Sequence, residues 1–178
     1  MAESSRAAIN SAGGRQQGWV DAIVEIPQGS RNKYEFDHEH GVFRLDRVLY
    51  SSMHYPTDYG FINDTLSGDG DPIDVLIIVE EPTFTGCHLR ARPIGTLDMV
   101  DEKGPDEKIL AVPVDDPRFN GIVELDQLQE HWAKEIAAFF RTYKELQEKQ
   151  VEVRGWHGAD EAWRMIDEAQ ARFQAQHR

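Results

Sequence analysis

The apolar residues of this chain change their spacing once, and this change limits the fold more than any other feature of the sequence. Up to about residue 114 they alternate with polar residues in short runs, as Val20, Ala22 and Val24 do, and a two-residue period is typical of half-buried strands. Glycine, proline, asparagine and aspartate separate these runs. The sequence therefore predicts strands at 19–26, 34–36, 42–49, 73–79, 88–99 and 109–114.

The last third of the chain has the spacing of amphipathic helices, in which apolar side chains recur every three or four residues. The first helical pattern consists of Leu125, Leu128, Trp132, Ile136, Phe139, Phe140, Tyr143 and Leu146, and Asp126 with Gln129 resembles a capping box at its start. The second follows Gly155 and Gly158 and consists of Ala159, Ala162, Trp163, Ile166, Ala169 and Phe173. Strands followed by helices predict an α+β fold, a small and mostly antiparallel β-barrel with two C-terminal α-helices packed on it.

One domain accounts for the length of the chain, because 178 residues leave little room for a second core. Residues 1–18 are rich in Ser, Ala, Gly and Gln without periodic apolar residues, which predicts a flexible N-terminal tail and a single domain over 19–178. No apolar stretch approaches the roughly 20 residues of a membrane span, and the N-terminus has no secretory apolar segment. The lone Cys87 cannot form an internal disulfide, so we expect a cytoplasmic protein.

The charge of the chain limits its partners. With 19 basic and 32 acidic side chains the net charge is −13, so the average surface repels nucleic acid and anionic membranes, and we expect neither as a partner. The same sign opposes a substrate that carries phosphate. A site for such a substrate must therefore use local cations or metal ions to reverse the field.

Three carboxylates fall within six residues at the start of an apolar strand, in the segment Asp69-Gly70-Asp71-Pro72-Ile73-Asp74-Val75. Two like charges at about 4 Å repel by roughly 4 kcal/mol at an effective dielectric of about 20, so converging carboxylates take up protons or bind cations. Oxygen ligands select hard ions, and Mg²⁺ or Mn²⁺ fit best when the substrate brings phosphate oxygens. A calcium loop of the EF-hand type needs glycine where Asp74 stands. A solvated Asp-Gly turn with diverging carboxylates is the alternative.

A second acidic group, 101–108, lies in a turn between two strand-like runs and is a candidate to meet the first across the barrel. Cations that could contact an anion are Lys33, Arg47, Lys108 and Lys144. Each feature taken singly is also compatible with a solvated loop or surface side chain. The seven histidines show no zinc spacing, and His38 and His40 lie at a predicted hairpin tip.

The segment 69–75 resembles the signature of family I soluble inorganic pyrophosphatases, in particular the short, bacterial type. Further similar pieces follow the family's order over residues 19–175. They are Val24-Glu25-Ile26-Pro27, Lys33-Tyr34-Glu35, Asp46-Arg47, Tyr55-Pro56 with Asp58-Tyr59-Gly60-Phe61, Met99-Val100-Asp101-Glu102 with Asp106 and Lys108, and Phe139-Phe140 with Tyr143-Lys144. His54 lies beside Tyr55 where the family is variable, and we do not expect it to bind metal.

The resemblance implies a closed, OB-like barrel of five strands and hydrolysis of pyrophosphate to two orthophosphates with several Mg²⁺ ions, for which Mn²⁺ is a substitute. It implies Asp71 as the general base. The implied metal ligands are Asp69, Asp74, Asp106, Asp101 and Glu35, with Glu25 as a supporting acid, and the implied phosphate contacts are Lys33, Arg47, Tyr59, Lys108, Tyr143 and Lys144. Short bacterial members are commonly hexamers, so we expect a homo-oligomer, with a hexamer favoured.

Two other functions remain open at this point. One is a metal-dependent hydrolase of an organic polyphosphate, although the sequence has no glycine-rich phosphate loop of the Walker type. The other is a catalytically silent module that binds divalent cations. Such a module would have no use for the candidate anion contacts, so the sequence favours pyrophosphate hydrolysis.

Overall fold

Ten strands and two α-helices form residues 12–177, the part of the chain that this computed structural model describes. The strands are β1 (Gly13–Gly14), β2 (Trp19–Ile26), β3 (Asn32–Asp37), β4 (Val42–Val48), β5 (Asp58–Ile62), β6 (Asp74–Ile77), β7 (His88–Asp101), β8 (Gly104–Pro105), β9 (Lys108–Pro113) and β10 (Glu152–Gly158). The α-helices are α1 (Glu130–Thr142) and α2 (Ala159–Gln176). Short 3-10 helices cover Pro117–Phe119, Leu125–Gln127 and Glu145–Gln147.

A closed barrel is formed by β2, β5, β6, β9 and β7, which pair in this order, and the pairing of β2 with β7 closes it. The pairs are antiparallel except β6 with β9, which run parallel with Val75 beside Ile109. Outside the barrel, β10 pairs with β7, and β3 and β4 form a separate two-stranded hairpin. The predicted five-stranded barrel is confirmed, and β6 and β9 can run parallel because β7 lies between them in the sequence and runs antiparallel to β9.

Two hydrophobic clusters hold the barrel and the helices together. Alternate residues of β6 enter different clusters, since Val75 and Ile77 pack with α2 whereas Leu76 packs with α1. The α2 face contributes Ala162, Trp163, Ile166 and Ala169, and the α1 face contributes Ile136, Phe139 and Phe140. Each fully buried aliphatic side chain contributes about 1.5–3 kcal/mol. Both faces of β6 are therefore buried, and its polar first residue, Asp74, lies at the end of the barrel.

The first predicted helix is interrupted twice. Residues 125–127 form a 3-10 helix, α1 begins at Glu130, and a second 3-10 helix follows it. Leu128 has an extended backbone between the first two, with φ −78° and ψ 145°. The capping box joins Glu124 and Gln127, so the pair predicted from Asp126 and Gln129 was wrong. Of the two helices, α2 is C-terminal, whereas α1 lies between β9 and β10.

Residues 12–18 form a short hairpin with β2, in which Gly13 pairs with Val20. Arg15 forms ion pairs with Asp160 and Asp167 on α2, at 3.0 and 3.5 Å. Residues 1–11 of the predicted tail lie outside the described residues. None of the helices in the described part is long and apolar enough to cross a membrane.

Candidate active site

A polar cavity of about 490 Å³ opens at one end of the barrel, and every site residue predicted from the sequence lines it. Different elements supply these residues. They are Glu25 on β2, Lys33 and Glu35 on β3, Arg47 on β4, Tyr59 on β5, Asp69 and Asp71 before β6, Asp74 on β6, Asp101 on β7, Asp106 before β9, Lys108 on β9, and Tyr143 and Lys144 after α1. The barrel thus brings together acids and cations that lie more than a hundred residues apart in the sequence.

The loop before β6 holds Asp69 and Asp71 in different surroundings. Gly70 has φ +93°, a conformation that favours glycine, and it turns the chain so that the Asp71 amide donates to Asp69 Oδ1 at 3.0 Å. Burial alone would raise the pKa of Asp69, but hydrogen bonds from the Ser67 hydroxyl and the Asp71 amide outweigh it and lower that pKa. Partial desolvation, followed by the neighbouring charges of Asp69 and Asp74, raises the pKa of Asp71. Asp71 is therefore the more basic of the two.

Lys108 lines the cavity although only 2% of its surface is exposed. Its Nζ donates to Asp74 Oδ2 at 2.9 Å, to Asp106 Oδ1 at 3.0 Å and to the Tyr59 hydroxyl at 3.0 Å. Burial would lower the pKa of Lys108, but the charge of Asp74, followed by that of Asp106, outweighs it and raises that pKa. The buried ammonium group is therefore charged and offsets the repulsion between two acids.

Lys144 plays a similar part at the rim. Its Nζ lies 3.1 Å from Asp101 Oδ2 and 3.4 Å from Glu102 Oε2, and Lys149 lies 3.4 Å from the other oxygen of Glu102. Desolvation would raise the pKa of Asp101, but the Lys103 amide and Lys144 outweigh it and lower that pKa. Asp101 is therefore ionised at neutral pH.

The β3–β4 hairpin also lines the cavity, through Lys33, Glu35 and Arg47. Lys33 pairs with Glu35 and, at 3.2 Å, with Asp46 Oδ2, which also accepts a hydrogen bond from Arg47 Nε at 2.8 Å. Next to them, burial raises the pKa of Glu25 to about 7, although the Phe36 amide donates to this carboxylate at 2.8 Å and opposes the shift. Glu25 is thus a cavity acid that can take up a proton near neutral pH.

The donor set of the cavity fits a hard divalent cation, because Asp69, Asp74 and Asp106 line it and offer only carboxylate oxygens. Within residues 12–177 no group of three or more His, Cys, Asp or Glu side chains is already arranged to hold a metal ion. Asp74 and Asp106 are instead paired with Lys108, and Asp101 with Lys144. Each ammonium group contacts one oxygen of each carboxylate, which leaves the other oxygen able to bind a cation.

Some cavity residues were not predicted from the sequence as site residues. His38 lies at the expected hairpin tip, yet its ring also lines the cavity, 4.8 Å from the Phe36 ring and 5.4 Å from the Phe61 ring. Gln147 and Lys149 line it as well. His54, in contrast, is exposed and outside the cavity lining. A single polar residue outside a motif gives no sequence signal of its own, so only the folded positions of the hairpin and of the segment after α1 reveal these contacts.

Comparisons with known proteins point to one family. A family model described as inorganic pyrophosphatase matches residues 22–174. The inorganic pyrophosphatase of Geobacillus stearothermophilus is 52% identical over 157 residues, which are 88% of this chain and 95% of that protein. The one from Methanosarcina acetivorans is 54% identical over 151 residues, 85% of this chain and 90% of that protein. The crystal structure of inorganic pyrophosphatase from Thermus thermophilus superposes with a TM-score of 0.88 at 39% identity and covers 92% of this chain and 95% of that chain.

Proposed function

The chain belongs to the inorganic pyrophosphatase family, and on this premise we propose that the acidic cavity is its active site, with Asp71 as the general base. Membership makes the chain a hydrolase of the phosphoanhydride bond of inorganic pyrophosphate, with two orthophosphates as products, and implies a requirement for divalent metal ions. The observation that carries the assignment of the site is the convergence of carboxylates and phosphate-binding cations in one cavity.

Asp71 suits the role of base for a physical reason. Desolvation and the charges of Asp69 and Asp74 raise its pKa, which makes its carboxylate a stronger proton acceptor. Asp69 lies two residues away with a lowered pKa and stays ionised, as a metal ligand must. Asp71 then accepts the proton of the attacking water while Asp69 remains charged.

Asp69, Asp74 and Asp106 would hold the first Mg²⁺ ions, and Asp101 and Glu35 would hold ions that arrive with the substrate, with Glu25 as a supporting acid. When bound, Mg²⁺ lowers the pKa of a coordinated water and offsets negative charge on the phosphate oxygens. Mn²⁺ is the substitute that the same oxygen donors accept. The lowered pKa values of Asp69 and Asp101 support this assignment, because carboxylates must be ionised to bind these cations.

The cations of the cavity bind the two phosphates. Phosphoryl transfer depends on neutralising the equatorial and leaving oxygens, and Arg47 can bind two oxygens at once, whereas a lysine acts as a point charge. The other proposed contacts are Lys33, Lys108, Lys144, Tyr59 and Tyr143. Burial raises the pKa of both tyrosines, which keeps their hydroxyls protonated and able to donate to phosphate.

The assembly and the location are part of the same proposal. The length of the chain supports a homo-oligomer, with a hexamer favoured, because short bacterial members of the family are commonly hexamers. Cys87 is free, as a reducing compartment favours, so we place the enzyme in the cytoplasm. The net charge of −13 argues against nucleic acid or anionic membranes as partners.

Phosphate release from pyrophosphate and from ATP, with and without Mg²⁺, tests this function. We expect release from pyrophosphate alone, loss of activity in excess chelator and recovery when Mg²⁺ is added back. Ca²⁺ should inhibit, because its larger radius and looser coordination misplace the attacking water. Hydrolysis that persists in excess chelator, or that is faster with ATP, would contradict the proposal.

A further inference from the structure

We propose that Gln147 is a positioning residue that fixes the Arg47 guanidinium for its contact with a substrate phosphate. The inference rests on the proposed function, in which Arg47 binds phosphate oxygens. Gln147 lies on the 3-10 helix after α1, a hundred positions from Arg47 in the sequence, and its Oε1 accepts a hydrogen bond from Arg47 Nη1 at 2.8 Å.

Two acceptors hold the guanidinium from different sides. Asp46 Oδ2 accepts from Arg47 Nε at 2.8 Å, while Gln147 accepts from Nη1. A guanidinium has five N–H groups in a rigid plane, so two fixed bonds determine its orientation and leave the Nη2 group free to donate to a phosphate. With Asp46 alone, the plane could still rotate about the single remaining bond.

The chemistry of the amide matters as well. A carboxylate at this position would add negative charge to a cavity that already contains many acids, and would weaken the attraction of Arg47 for phosphate. The neutral Oε1 of Gln147 orients the guanidinium without cancelling its charge. The charge of Asp46, in contrast, is shared between two cations, because the oxygen that accepts from Arg47 Nε also accepts from Lys33 at 3.2 Å.

The backbone around Gln147 links its contact with Arg47 to Lys144, another residue proposed to contact phosphate. The Gln147 amide donates to the Lys144 carbonyl at 3.0 Å, and Glu148 follows in the left-handed conformation with φ +57°. Such a conformation is uncommon for a residue other than glycine and is found at functional sites. Gln147 therefore connects the separate β3–β4 hairpin, which carries Arg47, to the segment that carries Lys144.

A double-mutant cycle on pyrophosphate hydrolysis tests the role. Gln147→Ala should lower kcat/KM about tenfold, mainly through KM, and Gln147→Met, which keeps the length of the side chain but removes the oxygen, should do the same. In the Arg47→Ala background neither substitution should cause a further loss, because a residue that acts through Arg47 has nothing left to position. Leu146→Ala is the matched control, since this neighbour on the same 3-10 helix is 62% exposed, and it should behave as the unaltered chain.

The outcomes separate this inference from the function it rests on. If Gln147→Ala lowers kcat/KM by the same factor in the Arg47→Ala background as in the unaltered chain, the two effects are additive. Gln147 then acts independently of Arg47, and its proposed role is wrong. Unchanged kcat/KM in both single Gln147 variants would overturn it as well. Failure of the unaltered chain to hydrolyse pyrophosphate would instead reject the proposed function, whatever the variants do.

Discussion

Asp71 and Asp74 are three residues apart, yet their carboxylates have different surroundings. Asp74 Oδ2 accepts from the buried Lys108 at 2.9 Å, whereas Asp71 has a pKa raised by desolvation and like charges. Asp71→Asn keeps the shape of the side chain but removes the proton acceptor, so we expect the rate to fall by roughly 10² to 10⁴ with little loss of metal affinity. Asp74→Asn should lose Mg²⁺ binding and rate together.

Calorimetric titration with Mg²⁺ measures the metal affinity of both variants. Their rates at saturating Mg²⁺ then show whether each variant has lost catalysis, metal binding or both. If Asp71→Asn turns over at nearly the normal rate in saturating Mg²⁺, then Asp71 is not the base. If Asp74→Asn binds Mg²⁺ normally, its assignment as a ligand is wrong.

Glu25 should make the stability of the metal-free protein depend on pH. Its pKa rises from 4.5 to about 7 on folding, so between these values the unfolded chain releases a proton that the folded chain keeps. The stabilising effect of the proton is complete below about pH 4.5 and is lost as the pH rises through about 7, at a cost of up to about 3 kcal/mol. Urea unfolding in the presence of a chelator, at pH 5 and at pH 8, measures this loss of stability.

Glu25→Gln is the control for this effect, since the amide cannot ionise. The variant should lose less stability than the unaltered chain between the two pH values. The same loss in both proteins would assign the pH dependence to other groups.

The sequence identifies single residues of the site better than the contacts between them. Asp69, Asp71 and Asp74 are close in the chain, so their spacing alone predicts an acidic cluster. The bond between Arg47 and Gln147 joins positions a hundred residues apart, and no local pattern predicts it. Likewise, the hairpin turn at His38 was predictable, but the return of its ring over the cavity was not.

Strands were predictable from the sequence where one face is more buried than the other. β2 alternates buried and less buried residues over most of its length, and its strand was predicted with the observed bounds. All five residues of β5 are buried, so Asp58–Ile62 shows no alternation and the strand was missed. β10 was missed as well, because Gly155 and Gly158 resemble a break in the chain although they lie within the strand. Both β5 and β10 form because they pair with strands that are distant in the sequence, so no local pattern predicts them.

Gly60 on β5 should tolerate no side chain. A Cβ at this position would lie 1.9 Å from the carbonyl oxygen of Ile23 on β2, and backbone on a central barrel strand cannot move aside easily. We expect Gly60→Ala to lower the free energy of unfolding by about 3 kcal/mol, the upper end of the usual cost of overpacking, because the surroundings cannot relax. Urea unfolding measures the change.

Gly68→Ala provides the matched comparison, because a Cβ there has no atom within 4 Å. Its free energy of unfolding should change by less than about 1 kcal/mol. Equal midpoints for the two variants would show that β2 and β5 separate more readily than their close approach indicates.

At the scale of the whole molecule, the negative net charge of each chain opposes the proposed association of several chains. Each chain carries a net charge of −13, so association of several chains brings like charges together, and salt screens this repulsion. We expect light scattering at about 0.15 M salt to give six times the 20.3 kDa mass of one chain, and smaller species to increase as the salt is lowered. The mass of a single chain at every salt concentration would exclude the proposed hexamer.

The closure of the barrel by β2 and β7 has a consequence for biosynthesis. Val20 pairs with Ala91, and β9, which ends at Pro113, lies between β6 and β7. A ribosome that has made only β2, β5 and β6 has therefore produced three strands that cannot yet close, with unpaired edges exposed to neighbouring nascent chains. Because the closing contacts are distant in sequence, folding must await most of translation and should be slow for a protein of this size.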